Sequence, residues 1–465
     1  MPDRGKPGVR LETIKSPGLA HASYYLSDGG EAVVVDPRRD IGAYLKLAAE
    51  DCAKIEYVLE THRNEDYVVG SPELKEAVGV EICHSKELPF GYGDHNLTGG
   101  EVISVGGLRV KAITTPGHTF ESVCYAVSDT DLGPDPFMVF TGDTLFVGDV
   151  GRTDLPGPEH WERLSGMLFD SIHGKLLPLG DHVLVYPAHT AGSICGSNIG
   201  DREVSTIGLE RRTDRLLGLD REEFVRNRLR NRMLRPPYFT RMEALNLSGP
   251  PLLKYSPEPK HLPVQDFESM WRQPDTVVVD TRNPEAFAAS HIPGSLSIWL
   301  RGSAYYTGWA VTYDERVLLV VEKMEDAEVA TTYLRRLGYD DVVGYLCPGI
   351  AGWRNKGRLT EAFGVLTAPD LKDALGRSGI TLLDVREEDE YASGHIPGAI
   401  NVYVGQVAGV ARRIQGGKPV VVTCSWGGRS SLATSILRRN GIKEVFNLLG
   451  GMQAWKALGY PTEKT

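Results

Sequence analysis

Paired cysteines, long apolar runs and an excess of basic charge are all missing from this sequence of 465 residues. The six cysteines lie far apart, so neither a disulfide framework nor a paired-cysteine zinc motif is expected. No apolar run is long enough to cross a bilayer, and the N-terminus, MPDRGKPGVRLETIKSPG, has no apolar core of a signal peptide. The net charge of -10 argues against a nucleic-acid partner. We therefore expect a cytoplasmic protein with reduced thiols, no membrane association and no bound nucleic acid.

The length of the chain predicts several domains. A chain of 465 residues is too long for one core, and its 41% hydrophobic and 24% charged residues are typical of globular proteins. The segment LSGPPLLKYSPEPKHLP (247–263) is rich in proline and turn residues, which predicts a linker. We predict domains at residues 1–250, 258–362 and 366–465. A homo-oligomer is expected, although the sequence leaves its size open.

The C-terminal part of the chain contains an internal repeat. VVVDTRNPEAFAASHIPGSLSI (277–298) matches TLLDVREEDEYASGHIPGAINV (381–402), and the register continues beyond both segments. Each copy alternates strand-like and helix-like runs, which predicts a small parallel sheet with helices on both faces. The junction GRLTEAFGVLTAPD is short, so the two copies are expected to pack together.

Four polar motifs in the first 250 residues each follow a strand-like run: THRNEDY, TTPGHTFES, FTGDTLFVGDVGRTD and VYPAHTAGSICG. In open α/β architectures the ends of the strands are where a functional site collects. His62, His118 and Asp143 from these motifs supply two imidazoles and one carboxylate. That is the composition of the facial triad of non-haem iron(II) oxygenases, which leaves neighbouring positions open for dioxygen and a substrate.

Together the four motifs resemble the metallo-β-lactamase superfamily. In its hydrolases the first motif reads His-x-His-x-Asp-His and helps to hold two zinc ions. Here Asn64 and Tyr67 replace two of those histidines, and both are poor zinc ligands. The remaining triad matches the persulfide dioxygenase branch, and this resemblance implies one Fe(II) per chain. It also implies that Asp66 and His189 orient the metal ligands.

Other residues of these motifs have two interpretations each. Asp66 is also placed to cap a helix beginning near YVVGSPELKEAVG. Tyr67 either donates a hydrogen bond into the pocket or packs. Arg152 and Asp154 are interpreted as a structural ion pair near the site, and the alternative is a substrate clamp. Cys195 is either a thiol that relays sulfur near the iron or a small buried hydrophobe.

The stretch from 202 to 241 is dense in arginine, and we predict a helix that continues up to Pro236. The first interpretation is a solvated or interface helix with acidic partners. The alternative is a basic rim that attracts an anionic thiol cofactor.

A second motif, TCSWGGRS, follows the strand-like run PVVV and precedes a helix-like run. Backbone N–H groups, the helix N-terminus and Arg429 are all expected to stabilise Cys424 as a thiolate. Gly427 and Gly428 permit a tight loop, and Ser425 and Trp426 complete the candidate site. A cysteine phosphatase loop is one residue longer, and an inert buried cysteine is the remaining alternative.

The repeat as a whole resembles the rhodanese family of sulfurtransferases. In the first copy Val321 stands in the position of Cys424 and Asp326 in that of Arg429, so residues 258–362 are predicted to be an inactive rhodanese-like domain. Cys347 lies in a later turn and does not replace the nucleophile. Both copies keep the Asp-x-Arg pair and the following histidine, here Asp384, Arg386 and His395, so these residues are predicted to serve the fold.

The order of the parts resembles bacterial persulfide dioxygenase–rhodanese fusions. The implied fold is a metallo-β-lactamase αββα sandwich followed by two rhodanese-like α/β domains with small parallel sheets. The implied activity oxidises a thiol persulfide, of glutathione, coenzyme A or a similar thiol, with O2 to sulfite and thiol. Cys424 would then carry sulfur to or from sulfite and thiosulfate, in a direction that the sequence leaves open. A dizinc glyoxalase II-like thioester hydrolase with a sulfurtransferase tail, and an inert metal domain that serves as a docking platform, are the alternatives.

Overall fold

The computed structural model describes residues 8–196, 198–377, 379–414 and 418–465. The prediction that the N-terminus is not a signal peptide falls partly on the first seven residues, which lie outside the described residues. Backbone contacts divide the chain into a first unit, Met1–Tyr255 with Arg336–Gly338, and a second unit, Ser256–Arg335 with Tyr339–Thr465. In the described part of the chain, no helix combines the length and apolarity that a membrane crossing requires.

Two six-stranded sheets form the centre of the first unit. Apolar side chains from both sheets, such as Val33 and Phe140, are buried in one shared core. The first sheet contains, in spatial order, β1 (Arg10–Ser16), β2 (His21–Asp28), β3 (Glu31–Val35), β4 (Lys54–Leu59), β5 (Glu81–Ser85) and β6 (His95–Leu97). The second contains β7 (Val102–Val105), β8 (Leu108–Thr114), β9 (Val123–Asp129), β10 (Met138–Gly142), β11 (Leu184–Pro187) and β12 (Ser205–Thr206).

Helices cover the outer faces of both sheets. Tyr44 and Leu74 pack on the first sheet, whereas Leu168 and Phe224 pack on the second. These helices are α1 (Gly42–Asp51), α2 (Ser71–Val78), α3 (Trp161–Ser171), α4 (Ile207–Thr213), α5 (Arg221–Arg230) and α6 (Phe239–Ser248). The predicted αββα sandwich is therefore confirmed.

The prediction of one helix up to Pro236 is wrong, because the arginine-dense stretch is interrupted. α4 ends at Thr213 and α5 ends at Arg230. Asp214 leaves the helical conformation and accepts a hydrogen bond from the backbone N–H of Leu216 (2.8 Å). Asp220 then caps a new helix by accepting from the N–H of Glu223 (2.8 Å). Short aspartate side chains thus break the helix that the charge pattern suggested.

Two five-stranded parallel sheets form the second unit, and their strand orders are the same. The first sheet, in the order β13-β17-β16-β14-β15, contains β13 (Lys260–Pro263), β14 (Thr276–Asp280), β15 (Leu296–Ser297), β16 (Arg316–Val320) and β17 (Val342–Cys347). The second, in the order β18-β22-β21-β19-β20, contains β18 (Gly364–Leu366), β19 (Thr381–Asp384), β20 (Ile400–Asn401), β21 (Val420–Thr423) and β22 (Val445–Leu448).

Ten helices in the described residues accompany these sheets. They are α7 (Val264–Trp271), α8 (Pro284–Ala289), α9 (Ser303–Ala310), α10 (Asp326–Arg336), α11 (Ile350–Asn355), α12 (Ala368–Gly376), α13 (Glu388–Ser393), α14 (Val407–Ile414), α15 (Gly428–Arg439) and α16 (Gly451–Ala457). The predicted pair of small parallel α/β domains is therefore confirmed.

The two copies of the repeat pack together, as their short junction predicted. The hydroxyl groups of Ser297 and Ser431 are 2.7 Å apart, and the backbone N–H of Ser297 donates to Ser435 Oγ at 3.1 Å. These serines are all buried. The domain bounds 1–250, 258–362 and 366–465 stay predictions.

The residues that both copies share make the same contacts in each. Arg282 Nη2 donates to Asp280 Oδ2 at 2.6 Å, and Arg386 Nη2 donates to Asp384 Oδ2 at the same distance. His395 stacks on the ring of Tyr391 four residues before it, just as His291 stacks on Phe287. Because a copy without a nucleophile keeps them, these contacts support the interpretation that the shared residues serve the fold.

Candidate metal centre and candidate sulfur-transfer loop

Four ligand-type side chains of the first unit meet in one buried cluster. His62 follows β4, His118 follows β8, and Asp143 directly follows β10. Glu65 lies in the same loop as His62. Their ligand-type atoms all lie within 4.8 Å of one another. The ends of neighbouring strands therefore bring the predicted triad together, with one further carboxylate.

Distances in this cluster, which we call the metal centre, suit ligands of a common ion. His118 Nε2 is 3.6 Å and His62 Nε2 is 4.0 Å from Asp143 Oδ2. Glu65 places Oε1 3.1 Å from His118 Nε2 and Oε2 3.8 Å from His62 Nε2. All four side chains are at most 1% exposed. Ligands about 2 Å from a shared ion are separated by comparable distances.

Neighbouring groups fix the orientation of both imidazoles. His118 Nδ1 donates to the carbonyl oxygen of Arg152 at 2.8 Å. His62 Nδ1 lies 2.9 Å from Thr61 Oγ1, and the Thr61 hydroxyl itself donates to Asp36 Oδ2 at 2.7 Å. The hydroxyl therefore accepts from Nδ1–H, so each ring turns Nε2 into the cluster. A hydrogen bond at one ring nitrogen that frees the other is typical of metal-bound histidine.

The unpaired atoms of the centre fit a metal cation. Among the described residues, four buried atoms of the cluster lack a hydrogen-bond partner of acceptable geometry: His62 Nε2, His118 Nε2, Asp143 Oδ2 and Glu65 Oε2. Buried polar atoms without partners are costly, and native proteins rarely keep several together without a bound ion or water. Two nitrogen and two oxygen donors suit a divalent transition metal.

Charges within the centre oppose the effect of burial. Burial lowers the pKa of His62 to about 4. Burial also acts to lower the pKa of His118, but the Glu65 carboxylate outweighs it and raises that pKa to about 9. Burial would raise the pKa of Asp143, yet the His189 imidazolium holds it well below its usual range. Both carboxylates of the cluster are therefore ionised at neutral pH.

His189 lies between two carboxylates rather than facing the cluster with a free nitrogen. Its Nδ1 is 2.7 Å from Asp143 Oδ1, and its Nε2 is 2.9 Å from Asp66 Oδ2. Burial opposes the imidazolium, but Asp143 and Asp66 outweigh it and raise the pKa of His189 well above its usual value. Asp66 thus contacts His189. The alternative role of Asp66 as a helix cap is wrong, because α2 begins at Ser71.

The two residues that replace histidines both donate hydrogen bonds to backbone carbonyl oxygens. The Tyr67 hydroxyl donates to the carbonyl oxygen of Asp36 at 3.3 Å, and its ring packs 4.0 Å from that of His21. Asn64 Nδ2 donates to the carbonyl oxygen of His62 at 3.4 Å. Of the two interpretations of Tyr67, the structure therefore supports packing.

Glu65 is the member of the cluster that the sequence analysis missed. It occupies a variable position of the superfamily motif, between Asn64 and Asp66. An acidic residue in a motif that has lost histidines was the available signal. Cys195 lies close to it, with Sγ 3.7 Å from Glu65 Oε1. The thiol of Cys195 is fully buried, and burial raises its pKa well above the usual value.

A pocket of about 660 Å³ is lined by neighbours of the metal-centre residues, but by none of the four cluster side chains themselves. Arg63, next to His62, and Arg152, whose carbonyl oxygen contacts His118, both line it. Arg152 Nε donates to Asp154 Oδ1 at 2.6 Å, so the ion pair predicted from the sequence is present. The charged side chains of the lining are four arginines and two carboxylates, which leave two net positive charges: Arg63, Arg152, Arg232, Arg235, Asp154 and Glu243.

The second candidate site is the loop between β21 and α15, which we call the sulfur loop. Cys424 directly follows β21, and Gly428 begins α15. Cys424 Sγ accepts from the backbone N–H of Gly427 at 3.1 Å and from the Ser430 hydroxyl at 3.3 Å. Gly427 has φ of +124°, a conformation that side chains rarely adopt. The loop therefore directs donors at sulfur, as its spacing predicted.

Arg429 has a carboxylate partner that the sequence did not predict. Its guanidinium forms two hydrogen bonds to Glu390 at 2.5 and 2.8 Å, and its role in stabilising the Cys424 thiolate stays a prediction. It also donates to Ser425 Oγ at 2.7 Å. Trp426 is 38% exposed, and its ring meets that of Trp299 from the other copy edge-on at 5.3 Å. An aromatic side chain of the first copy therefore packs beside the sulfur loop.

The corresponding loop of the first copy has no thiol. Val321 is buried directly after β16, and Asp326 begins α10. Cys347 ends β17 and is half-buried. All six cysteines lie within the described residues, and each is free.

Two protein-family models match this chain. The model of the metallo-beta-lactamase superfamily matches residues 16–189, and that of the rhodanese-like domain matches 263–356 and 367–458. The chain therefore belongs to the metallo-β-lactamase superfamily and continues into two rhodanese-like domains. Both resemblances, and the order of the parts, are as predicted from the sequence.

Individual relatives of the first unit are named for different activities. The mitochondrial persulfide dioxygenase of Bos taurus is 29% identical over 47% of this chain and 80% of its own length. A hydroxyacylglutathione hydrolase of Haemophilus influenzae is 28% identical over 42% of this chain and 92% of its own. The crystal structure of a metallo-beta-lactamase from Staphylococcus aureus is similar over 73% of this chain and 99% of its own, with 28% identity and a TM-score of 0.66.

We expect the substitution Glu65→Gln to weaken the binding of a divalent metal by about tenfold, because one anionic donor is lost from a buried cluster. This affinity can be measured under a nitrogen atmosphere, by letting the metal-free protein compete with a chromophoric chelator for the divalent metal. Glu121→Gln is the matched control, since Glu121 is a buried carboxylate outside the cluster. An unchanged affinity in Glu65→Gln would show that Glu65 makes no contribution to metal binding.

Proposed function

We propose that the first unit is an iron-dependent persulfide dioxygenase and that the last repeat is a rhodanese that transfers sulfur through Cys424. The reaction of the first unit converts a thiol persulfide, O2 and water into thiol, sulfite and two protons. The observation that carries this proposal is the metal centre. It brings two histidines and two carboxylates together, among them the predicted triad, beside a residue, His189, whose two nitrogens already face carboxylates.

The donors of the centre support iron more than a zinc pair. His62, His118 and Asp143 would hold Fe(II), one ion per chain, and the bound metal would supply the activation of O2. A second metal would have to use the neighbouring group of Asp66, His189 and Cys195, in which the His189 nitrogens already contact Asp143 and Asp66. Tyr67, in a position where the hydrolases have histidine, donates to a backbone carbonyl oxygen instead. Thr61 and the carbonyl oxygen of Arg152 hold the two imidazoles in place, so the centre needs little rearrangement.

The pocket beside the centre supports an anionic thiol carrier as the substrate. Its volume of about 660 Å³ lies within the range of small-molecule sites. Arg63 and Arg235 share Glu243, at 3.3 and 2.6 Å, so this cluster keeps a net positive charge. The Arg232 guanidinium lies 4.4 Å from the centre of the Trp161 ring. Arginines from the dense stretch therefore form a basic rim, the alternative considered from the sequence, and fit the carboxylates or phosphates of glutathione or coenzyme A.

A dizinc thioester hydrolase is the second candidate, and the similarity to a hydroxyacylglutathione hydrolase favours it. The inert docking platform is the third. Metal content distinguishes the three proposals, because they require one iron, two zinc ions and no metal per chain, respectively.

We expect the purified protein to carry about one iron per chain and to consume oxygen when glutathione persulfide is added. His118→Ala should lower oxygen uptake by about 100-fold or more, because the ion loses a nitrogen ligand. His182→Ala is the control, since His182 is exposed and outside the cluster. An oxygen electrode and metal analysis measure both effects. A zinc pair with thioester cleavage and no oxygen uptake would contradict the proposal.

We expect Arg232→Gln to raise the KM for glutathione persulfide by about fivefold and to change kcat by less than about twofold, because an exposed charge contributes to attraction rather than chemistry. Arg212→Gln removes an exposed arginine of the same unit that does not line the pocket and should have no effect. Equal behaviour of the two variants in oxygen-uptake kinetics would exclude Arg232 from carrier binding.

We expect Cys424→Ser to abolish sulfur transfer from thiosulfate to cyanide while oxygen uptake persists, because the serine hydroxyl cannot form a persulfide. Thiocyanate formation measures the transfer. Cys347→Ser, which removes a half-buried thiol of the inactive copy, should retain it. Transfer that persists in Cys424→Ser would refute the assignment of the sulfur loop.

A further inference from the structure

A closed ring of three side chains lies at the entrance of the sulfur loop. The Arg429 guanidinium donates to both carboxylate oxygens of Glu390, at 2.5 and 2.8 Å. Arg429 also donates to Ser425 Oγ at 2.7 Å, and the Ser425 hydroxyl donates to Glu390 Oε1 at 2.9 Å. Glu390 lies on α13, so an element outside the loop holds two residues of the loop.

The two copies of the repeat show that this ring does not serve the fold. In the register that aligns Asp280 with Asp384, Ala286 stands in the position of Glu390. In the loop, where Val321 aligns with Cys424, Glu322 and Asp326 stand in the positions of Ser425 and Arg429. The copy without a nucleophile thus lacks all three members, although it keeps the Asp-x-Arg ion pair and the helix in which Ala286 lies. The ring accompanies the thiol and not the architecture.

The ring changes what the loop offers to an anion. Arg429 is 12% exposed and Glu390 is 33% exposed, so the carboxylate faces solvent beside the buried guanidinium. The Glu390 carboxylate keeps its charge, because burial acts to raise its pKa but Arg429 outweighs it and lowers the pKa below its usual value. Cys424 Sγ accepts hydrogen bonds from the Gly427 N–H and the Ser430 hydroxyl, which carry no net charge. A small sulfur anion therefore meets an arginine whose charge is already balanced.

We propose that Glu390 sets the affinity of the sulfur loop for dianionic sulfur compounds by competing with them for Arg429. This inference rests on the proposed sulfurtransferase function. Thiosulfate, with two negative charges, must share Arg429 with Glu390, whereas a thiol persulfide brings one charge at its sulfur. Glu390 is therefore a positioning and specificity-determining residue that disfavours thiosulfate as the donor relative to a persulfide.

The reaction used as the test consists of two balanced steps. The Cys424 thiolate attacks the outer sulfur of thiosulfate, an S–S bond to Cys424 forms, the S–S bond within thiosulfate breaks, and the electron pair leaves with sulfite. Cyanide then attacks the outer sulfur of the Cys424 persulfide and leaves as thiocyanate, which restores the thiolate. Thiosulfate enters only the first step, so its KM reports on the encounter with Arg429.

The experiment compares Glu390→Gln with the wild type in the full chain. Glutamine keeps the size of the side chain and a hydrogen bond to Ser425 but removes the competing charge. We expect the KM for thiosulfate to fall by about fivefold, the maximal rate to stay within about twofold, and the KM for glutathione persulfide as donor to change by less than about twofold. Glu388→Gln is the matched control, because it removes an exposed charge from the same helix outside the ring.

A second variant protects the test against misfolding. Glu390→Ala reproduces the residue of the inactive copy, whose helix forms with Ala286 in this position, and should lower the KM for thiosulfate in the same way. In an Arg429→Gln background, the further change Glu390→Gln should have no effect on that KM. A KM for thiosulfate that is unchanged or raised in both single variants, with turnover retained, would overturn the inference and leave the sulfurtransferase function intact. A wild-type protein that transfers no sulfur would overturn both.

Discussion

Unpaired ligand atoms buried at the ends of the strands are the constraint on which the first unit depends. Four such atoms converge from His62, Glu65, His118 and Asp143, and none has a hydrogen-bond partner of acceptable geometry in the described residues. Leaving a buried polar atom unsatisfied costs about 1–3 kcal/mol. The surrounding protein nevertheless fixes the imidazoles through Thr61 and a carbonyl oxygen, so the cluster is held open rather than collapsed. A bound cation would stabilise this arrangement.

The same constraint explains how the superfamily site has changed. A position that would face a second metal is occupied by the His189 imidazole, held between Asp66 and Asp143 by two short contacts. A protonated His189 ring balances one negative charge of the two carboxylates. A divalent metal in the same place would balance two. Tyr67 turns to the Asp36 carbonyl and stacks beside His21, so its replacement of histidine is absorbed by packing. Under the proposed function, the substitutions convert a motif for two ions into a centre for one.

Sequence reasoning predicted those features that depend on local order along the chain. His62, His118 and Asp143 could be found because each follows a strand, and neighbouring strands end together. The absence of a thiol from the loop of the first copy was visible from its register alone. Glu65 and Glu390 were missed, because the direction of a side chain depends on elements distant in sequence: Glu390 meets Arg429 across 39 positions. The broken arginine-rich stretch was missed for a local reason, because the aspartate that leaves the helix and the aspartate that caps the next one outweigh the helical charge pattern.

Charge balance links the two candidate sites. In the metal centre, the ionised carboxylates of Asp143 and Glu65 would neutralise a divalent ion, so the centre itself offers little net attraction to a sulfur anion. In the sulfur loop, Glu390 neutralises Arg429 in the same way. Attraction of an anionic substrate must then come from neighbouring groups, and the pocket beside the metal centre has two net positive charges. A thiol carrier has charges that are remote from its reactive sulfur. Binding can then come from contacts between those remote charges and the positively charged pocket, while the sulfur itself enters a site without excess charge.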